Sequence, residues 1–157
     1  DIYPLSRVPS LAPILAYWAY NEWYTDRTVD FNILLRAYQK RAGDDKETQV
    51  FVGLVNSLPA GMVSLRRNDL FSCPDLSPWM SSLYVAENFR NRGIGAALTG
   101  YVCNKASEDG YGRVYLFLDH ERIETLRKFY SSRGWSFLRH SDDNDGNRTE
   151  IMQKILE

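Results

Sequence analysis

The sequence predicts an α+β fold, a mixed and largely antiparallel sheet with helices on both faces. Three observations lead there. Two helix-periodic apolar stripes open the chain, two short β-prone runs follow with hairpin punctuation, and a strand, glycine-rich turn, helix, strand order comes next. The 157 residues, 44% of them hydrophobic, are enough for one sizeable core, so a single domain over 1–157 is expected.

Leu11, Ile14, Leu15, Trp18 and Ala19 recur at three-and-four spacing after Pro9-Ser10, which suits a helix start, and the stripe runs to Trp23-Tyr24. A second stripe, Phe31, Leu34, Leu35 and Tyr38, follows Asp30 and stops at Gly43. Val50–Val55 and Ala60–Leu65 are then β-prone runs separated by Asn56-Ser57-Leu58-Pro59. Residues 66–77 are polar and turn-rich, which predicts an exposed loop suited to substrate contacts.

Trp79–Val85 reads as the next strand. A helix opening at Gly93 carries Ile94, Ala97, Leu98, Tyr101 and Val102, and Val114–Leu118 reads as a buried strand, parallel to Trp79–Val85 through the crossover. Residues 122–133 form a further helix closed by Gly134. Strands at 135–139 and 148–156 flank the acidic loop Asp142-Asp143-Asn144-Asp145-Gly146.

Composition narrows the function. With 19 basic and 20 acidic residues, the net charge of -1 gives no field to gather nucleic acid or an anionic membrane. The start has no basic leader or long apolar run, and no later segment approaches a membrane span. Two cysteines, Cys73 and Cys103, make no disulfide framework, so a cytoplasmic protein without membrane or nucleic-acid partners is expected. No metal site is expected.

The chemistry concentrates in Leu83-Tyr84-Val85 and the segment that follows. The glycines of Arg90-Asn91-Arg92-Gly93-Ile94-Gly95-Ala96 permit a sharp turn, and free amides at the next helix start suit a pyrophosphate, with Arg90 and Arg92 adding positive charge. By itself such a turn is more often a plain strand-to-helix connection. A dinucleotide fingerprint is excluded, because Leu98 stands where a third glycine is needed, and this leaves an oxidoreductase unsupported.

That segment resembles the Q/R-x-x-G-x-G/A signature of GNAT acetyltransferases, and the similarity in element order extends over most of the chain. The resemblance implies a sheet of about six to seven strands and acetyl-CoA as co-substrate. It further implies that backbone groups of Leu83, Tyr84 and Val85 hold pantetheine like an added strand and that the Asn91 to Ala96 amides hold the pyrophosphate. The Val85 amide would polarise the thioester carbonyl.

Leu126-Arg127-Lys128-Phe129-Tyr130-Ser131-Ser132-Arg133-Gly134-Trp135 is similar to a second family segment, which implies that Tyr130 protonates the departing thiolate; spacing alone would make Tyr130 a core residue. The family's asparagine seven positions earlier is Ile123 here, and its strand-borne base is replaced by Trp79, Met80, Ser81 and Ser82. Glu22, Asp75, Asp119 and His120 are the remaining base candidates, beside a water chain.

Trp18, Glu22, Trp23 and Tyr24, the 67–77 loop and the acidic loop offer aromatic faces and carboxylates that suit a cationic amine. The expected acceptor is a small primary amine, with a protein N-terminus or lysine as the alternative and a non-catalytic acyl-CoA sensor as a different class. A homodimer is left open.

Overall fold

The computed structural model describes residues 1–26 and 28–157. Seven strands form one sheet in the order β1-β2-β3-β4-β5-β7-β6: β1 Ile2–Pro4, β2 Thr48–Val55, β3 Leu58–Arg66, β4 Trp79–Val85, β5 Arg113–Phe117, β6 Ser136–Asp142 and β7 Arg148–Ile155. Four helices accompany it: α1 Ala12–Trp23, α2 Phe31–Arg41, α3 Ile94–Glu108 and α4 Ile123–Ser131. Strand β4 runs parallel to β5, while β5 with β7 and β6 with β7 are antiparallel. The mixed α+β class read from the sequence is the class observed.

The chain divides into two compact units, residues 1–64 with 82–99, and residues 65–81 with 100–157. In the first, strand alternation sorts side chains onto two faces. Val50, Val52 and Met62 join Leu15, Ala16, Ala19, Leu34 and Tyr38 of α1 and α2 in one buried cluster. On the opposite face, Gly53 and Gly61 leave room for Ile94 and Leu98 of α3; a Cβ on Gly61 would stand 3.0 Å from a Leu98 methyl. Asp30 caps α2 by accepting the Asn32 N–H at 2.7 Å, which is why that helix begins where the sequence predicted.

The β2–β3 connection is tighter than the predicted four residues. Asn56 and Ser57 have φ of 50° and 66°, a two-residue turn whose twist suits a hairpin, and Leu58 and Pro59 belong to β3. The three-residue edge strand β1 has no sequence signal at all, being too short to show alternation.

In the second unit, Leu70, Cys73, Leu76, Trp79 and Ile151 cluster with Tyr115, Phe117 and Leu138 on one face of β5 and β7. The 66–77 segment is therefore only partly the exposed loop expected. Leu70, Cys73 and Leu76 turn inward while Phe71 stays exposed, and the Trp79 indole N–H donates to Leu76 O at 2.8 Å. Burying Trp79 and its neighbours contributes about 1.5–3 kcal/mol per side chain.

Candidate active site

The informative geometry of the first unit lies where β4 passes into α3. Ser82 sits within β4 at φ 54°, a left-handed residue that interrupts the regular pleat. Beyond it the backbone directions can be read from the neighbouring strand. The Ala86 N–H donates to Ala60 O at 2.8 Å, and Tyr84 O lies so close to β3 that a Cβ on Gly61 would meet it at 2.8 Å. Both groups therefore face β3. Because successive residues alternate sides, the N–H and C=O of Val85 point the other way.

After Val85 the chain makes one 3-10 turn at Glu87–Phe89, closed by a bond from Phe89 N–H to Ala86 O at 2.8 Å. Asn91 and Gly93 then adopt left-handed φ of 63° and 78°, and α3 begins with the bond from Ala97 N–H to Gly93 O at 3.0 Å. The amides of Ile94, Gly95 and Ala96 precede that first bond and have no carbonyl one turn back, the condition that makes a helix start an anion site. Leu83, Tyr84, Val85, Arg90, Asn91, Arg92, Gly93, Ile94, Gly95 and Ala96 thus lie on one continuous strand-loop-helix junction.

The two arginines do not stand free of the protein. The Arg92 guanidinium lies 5.5 Å from the Phe89 ring centroid, and that of Arg90 lies 5.6 Å from the Tyr84 ring while its Nε donates to Val85 O at 2.9 Å. Tyr84 in turn packs on Trp18 and Trp23, with ring centroids 5.3 and 6.4 Å away. These aromatic rings of α1 and β4 are half-buried and pack on one another.

Tyr130 belongs to α4 in the second unit and is 7% exposed. Its ring meets Phe129 and Trp135 edge-on, with centroids 5.0 and 5.8 Å away. Burial pushes its phenol up to about 12, against the opposing charges of Arg122 and Arg133, so the hydroxyl keeps its proton at neutral pH. The helix end that places it is closed by Trp135 N–H to Tyr130 O at 3.1 Å, with Gly134 at φ 89°.

Two of the base candidates are committed elsewhere. Asp75 accepts from Arg139 Nη2 at 2.9 and 3.2 Å, and that hydrogen bond holds its carboxyl below the usual range. Asp119 accepts the Glu121 N–H at 3.0 Å and Arg122 Nη2 at 3.3 Å. His120 is exposed, with Asp143 at 3.7 Å. The acidic loop is also internally tied, since Asp143 accepts the N–H groups of Asp145 and Asn147, each at 2.9 Å.

Sequence reasoning missed Asn144, which bonds the Phe71 N–H and Asp69 O, both at 2.9 Å, and so joins the acidic loop to the 66–77 segment. It also missed the left-handed Ser82 and the turning of Arg90 onto Val85, for which no pattern in the sequence gives a signal.

The profile of the acetyltransferase (GNAT) domain matches residues 22–156. The chain belongs to the GNAT acetyltransferase family. Solved structures of similar fold include an aminoglycoside 6'-N-acetyltransferase complexed with coenzyme A, 15% identical over 99% of this chain and 96% of that one, with a TM-score of 0.75. The aminoglycoside 6'-N-acetyltransferase from Enterococcus faecium is likewise 15% identical over 99% and 96%, TM-score 0.72. A putative acetyltransferase from Salmonella typhimurium with its cofactor acetyl-CoA is 18% identical over 100% and 94%, TM-score 0.70. Comparison with curated proteins returns no match in sequence. In this GNAT chain, no described helix is long and apolar enough to cross a membrane, and no group of described His, Cys, Asp and Glu residues is arranged to hold a metal ion.

Proposed function

We propose that this GNAT protein is a cytoplasmic enzyme that transfers the acetyl group of acetyl-CoA to the primary amine of a small molecule. The observation that carries the reading is the β4–α3 junction: a strand end whose Val85 groups turn away from β3, followed by left-handed Asn91 and Gly93 and the unbonded first turn of α3. Extended pantetheine fits the first part and a pyrophosphate the second. The thioester supplies an acyl carbonyl open to direct attack by the amine, so no acyl-enzyme is required.

The residues divide the remaining work. Val85 N–H donates to the carbonyl oxygen as negative charge gathers there. Tyr130, a phenol protonated at neutral pH, gives its proton to the departing sulfur, and the proton shed by the attacking nitrogen replaces it. The half-buried rings of Trp18 and Trp23 suit a cationic amine before it loses its proton, whereas the Tyr84 ring already holds the Arg90 guanidinium. The likeness in fold to aminoglycoside N-acetyltransferases favours a small-molecule acceptor over a protein N-terminus or lysine.

A non-catalytic acyl-CoA sensor is the second reading, favoured by the engagement of Asp75 with Arg139 and of Asp119 with Arg122. Thiol release from acetyl-CoA across a panel of amino sugars, polyamines and short peptides tests both. Release dependent on one amine class supports the enzyme and names its acceptor. Cofactor binding without release from any acceptor supports the sensor, and no binding overturns both.

A further inference from the structure

An amine that arrives as an ammonium ion must lose one proton before its lone pair can attack, and the Tyr130 phenol, itself protonated, cannot take it. Asp75 and Asp119 each face an arginine, Arg139 and Arg122. His120, on the loop between β5 and α4, keeps an accessible imidazole, with 39% of its side chain exposed. Carboxylates flank both of its nitrogens. Asp119 Oδ1 lies 4.0 Å and Asp143 Oδ2 3.7 Å from Nδ1, and Glu121 Oε1 lies 3.7 Å from Nε2. The two sides are unequal. The Asp143 side chain is 12% exposed and its Oδ1 accepts the Asp145 and Asn147 N–H groups, so Oδ2 is held beside the ring. The Glu121 side chain is 78% exposed and can swing aside. Carboxylates at Nδ1 favour the tautomer with its proton there, which leaves a lone pair on Nε2. The same loop reaches the proposed acid, because the charge of Arg122, two residues beyond His120, acts on the Tyr130 phenol.

We propose that His120 is the general base, taking a proton from the acceptor ammonium at Nε2, and that Asp143 is the positioning residue that turns the imidazole through Nδ1. The inference deepens the acetyltransferase reading and rests on it. One proton leaves the ammonium for Nε2 and passes from the imidazolium to water. The second, shed as the C–N bond forms and the C–S bond breaks, replaces the one that Tyr130 gives to sulfur. Histidine suits the first transfer because it exchanges a proton near neutral pH, whereas a carboxylate paired with an arginine is a far weaker base.

Steady-state thiol release from acetyl-CoA tests both roles, with the fastest amine among the amino sugars, polyamines and short peptides as acceptor. His120→Gln is expected to lower kcat by about 10²-fold at neutral pH with KM for acetyl-CoA little changed. The deficit is expected to close as pH rises toward the range where the amine is unprotonated in solution, since no base is needed there. Asp143→Asn keeps the Oδ1 that holds Asp145 and Asn147 and exchanges only the atom beside the imidazole. A smaller fall in kcat is expected from it, and the double variant is expected to lose no more than His120→Gln alone.

A loss in His120→Gln that is the same at every pH overturns the proposal in favour of a structural role. Wild-type kinetics in that variant overturn it as well. Losses that add in the double variant refute the part given to Asp143. Should Asp143→Asn fail to fold by circular dichroism, the pH profile of His120→Gln decides alone. Wild-type protein that releases no thiol with any amine fails the acetyltransferase reading itself, before the variants are compared, and takes the proposal with it.

Discussion

Tyr130 is a buried residue of the second unit that the proposed mechanism also asks to donate a proton. Its edge-on packing against Phe129 and Trp135 is what removes water from the phenol, and that desolvation raises the proton affinity to about 12. The raised value sets a sign for stability. Folding favours the protonated form, so this contribution is fully present below about pH 10, the unfolded phenol's range, and is lost as pH rises toward about 12. Alkaline denaturation of Tyr130→Phe is expected to lack that fall between the two values. The same substitution is expected to lower kcat by about 10²–10⁴-fold with little change in fold, since only the donated proton is removed. Chemical denaturation against pH and steady-state thiol release check the two halves; an unaltered kcat would assign the thiolate's proton to another donor. Gly93 and Gly61 separate two reasons for glycine. At Gly93 a Cβ meets nothing within 4 Å but φ is 78°, so Gly93→Ala is expected to cost about 1 kcal/mol through backbone strain alone. At Gly61 φ is ordinary and the added Cβ meets Tyr84 O at 2.8 Å. Gly61→Ala is expected to cost about 1–3 kcal/mol and to raise KM for acetyl-CoA, because β4 has to shift at Tyr84. Urea midpoints for both variants, beside the two KM values, test the contrast.

Elements were legible where burial imposes a period and obscure where it does not. Helix α2 and strand β4 were predicted to their observed limits within a residue or two, since Asp30 caps the one and Trp79–Val85 is a continuous β-prone run between turns. Helix α1 was recognised through a stripe that included Ile14, which is 40% exposed, whereas its buried face uses Ala12, Leu15, Ala16 and Ala19. Small residues pack closely but carry little apolar signal. The 66–77 segment read as polar because Leu70, Cys73 and Leu76 are spaced among turn residues that hide them. At the proposed site, the residues from Arg90 to Ala96 come from a glycine-spaced signature and Val85 only from the family resemblance, while the bond from Arg90 to Val85 is a tertiary fact with no spacing rule. The clamp of α4 onto β7 is another such fact: Arg127 Nε donates to Glu150 Oε1 at 2.8 Å and Nη2 closes the fork on Oε2. The Arg127 hydrogen bond holds the Glu150 carboxyl below its usual range. Folding therefore favours the ionised form, and this contribution is present above the ordinary carboxylate pKa and lost as pH falls through the depressed one. Glu150→Gln is expected to destabilise by about 1–3 kcal/mol at neutral pH and to flatten the acid side of the stability curve. An acid limb as steep as the wild type's would place the pH sensitivity elsewhere.

At the scale of the molecule, the two compact units are not two successive stretches of chain. The boundaries fall between Ser64 and Leu65, between Ser81 and Ser82, and between Thr99 and Gly100, which lie inside β3, β4 and α3 respectively. Each boundary is crossed by a hydrogen-bonded element where a linker of turn residues would stand between separable domains. An element that loses its continuation in one unit loses part of its own ladder or helix in the other, so the units are expected to unfold together. Tryptophans serve as reporters for both: Trp18 and Trp23 lie in the first unit, Trp79 and Trp135 in the second. Replacing either pair with Phe leaves a protein whose fluorescence follows one unit. Urea transitions of the two variants, each corrected for its own change in stability by far-UV circular dichroism of the same sample, are expected to coincide between fluorescence and dichroism. Fluorescence that moves ahead of dichroism in one variant and lags it in the other would show that β3, β4 and α3 break at the boundaries and that the units are energetically independent.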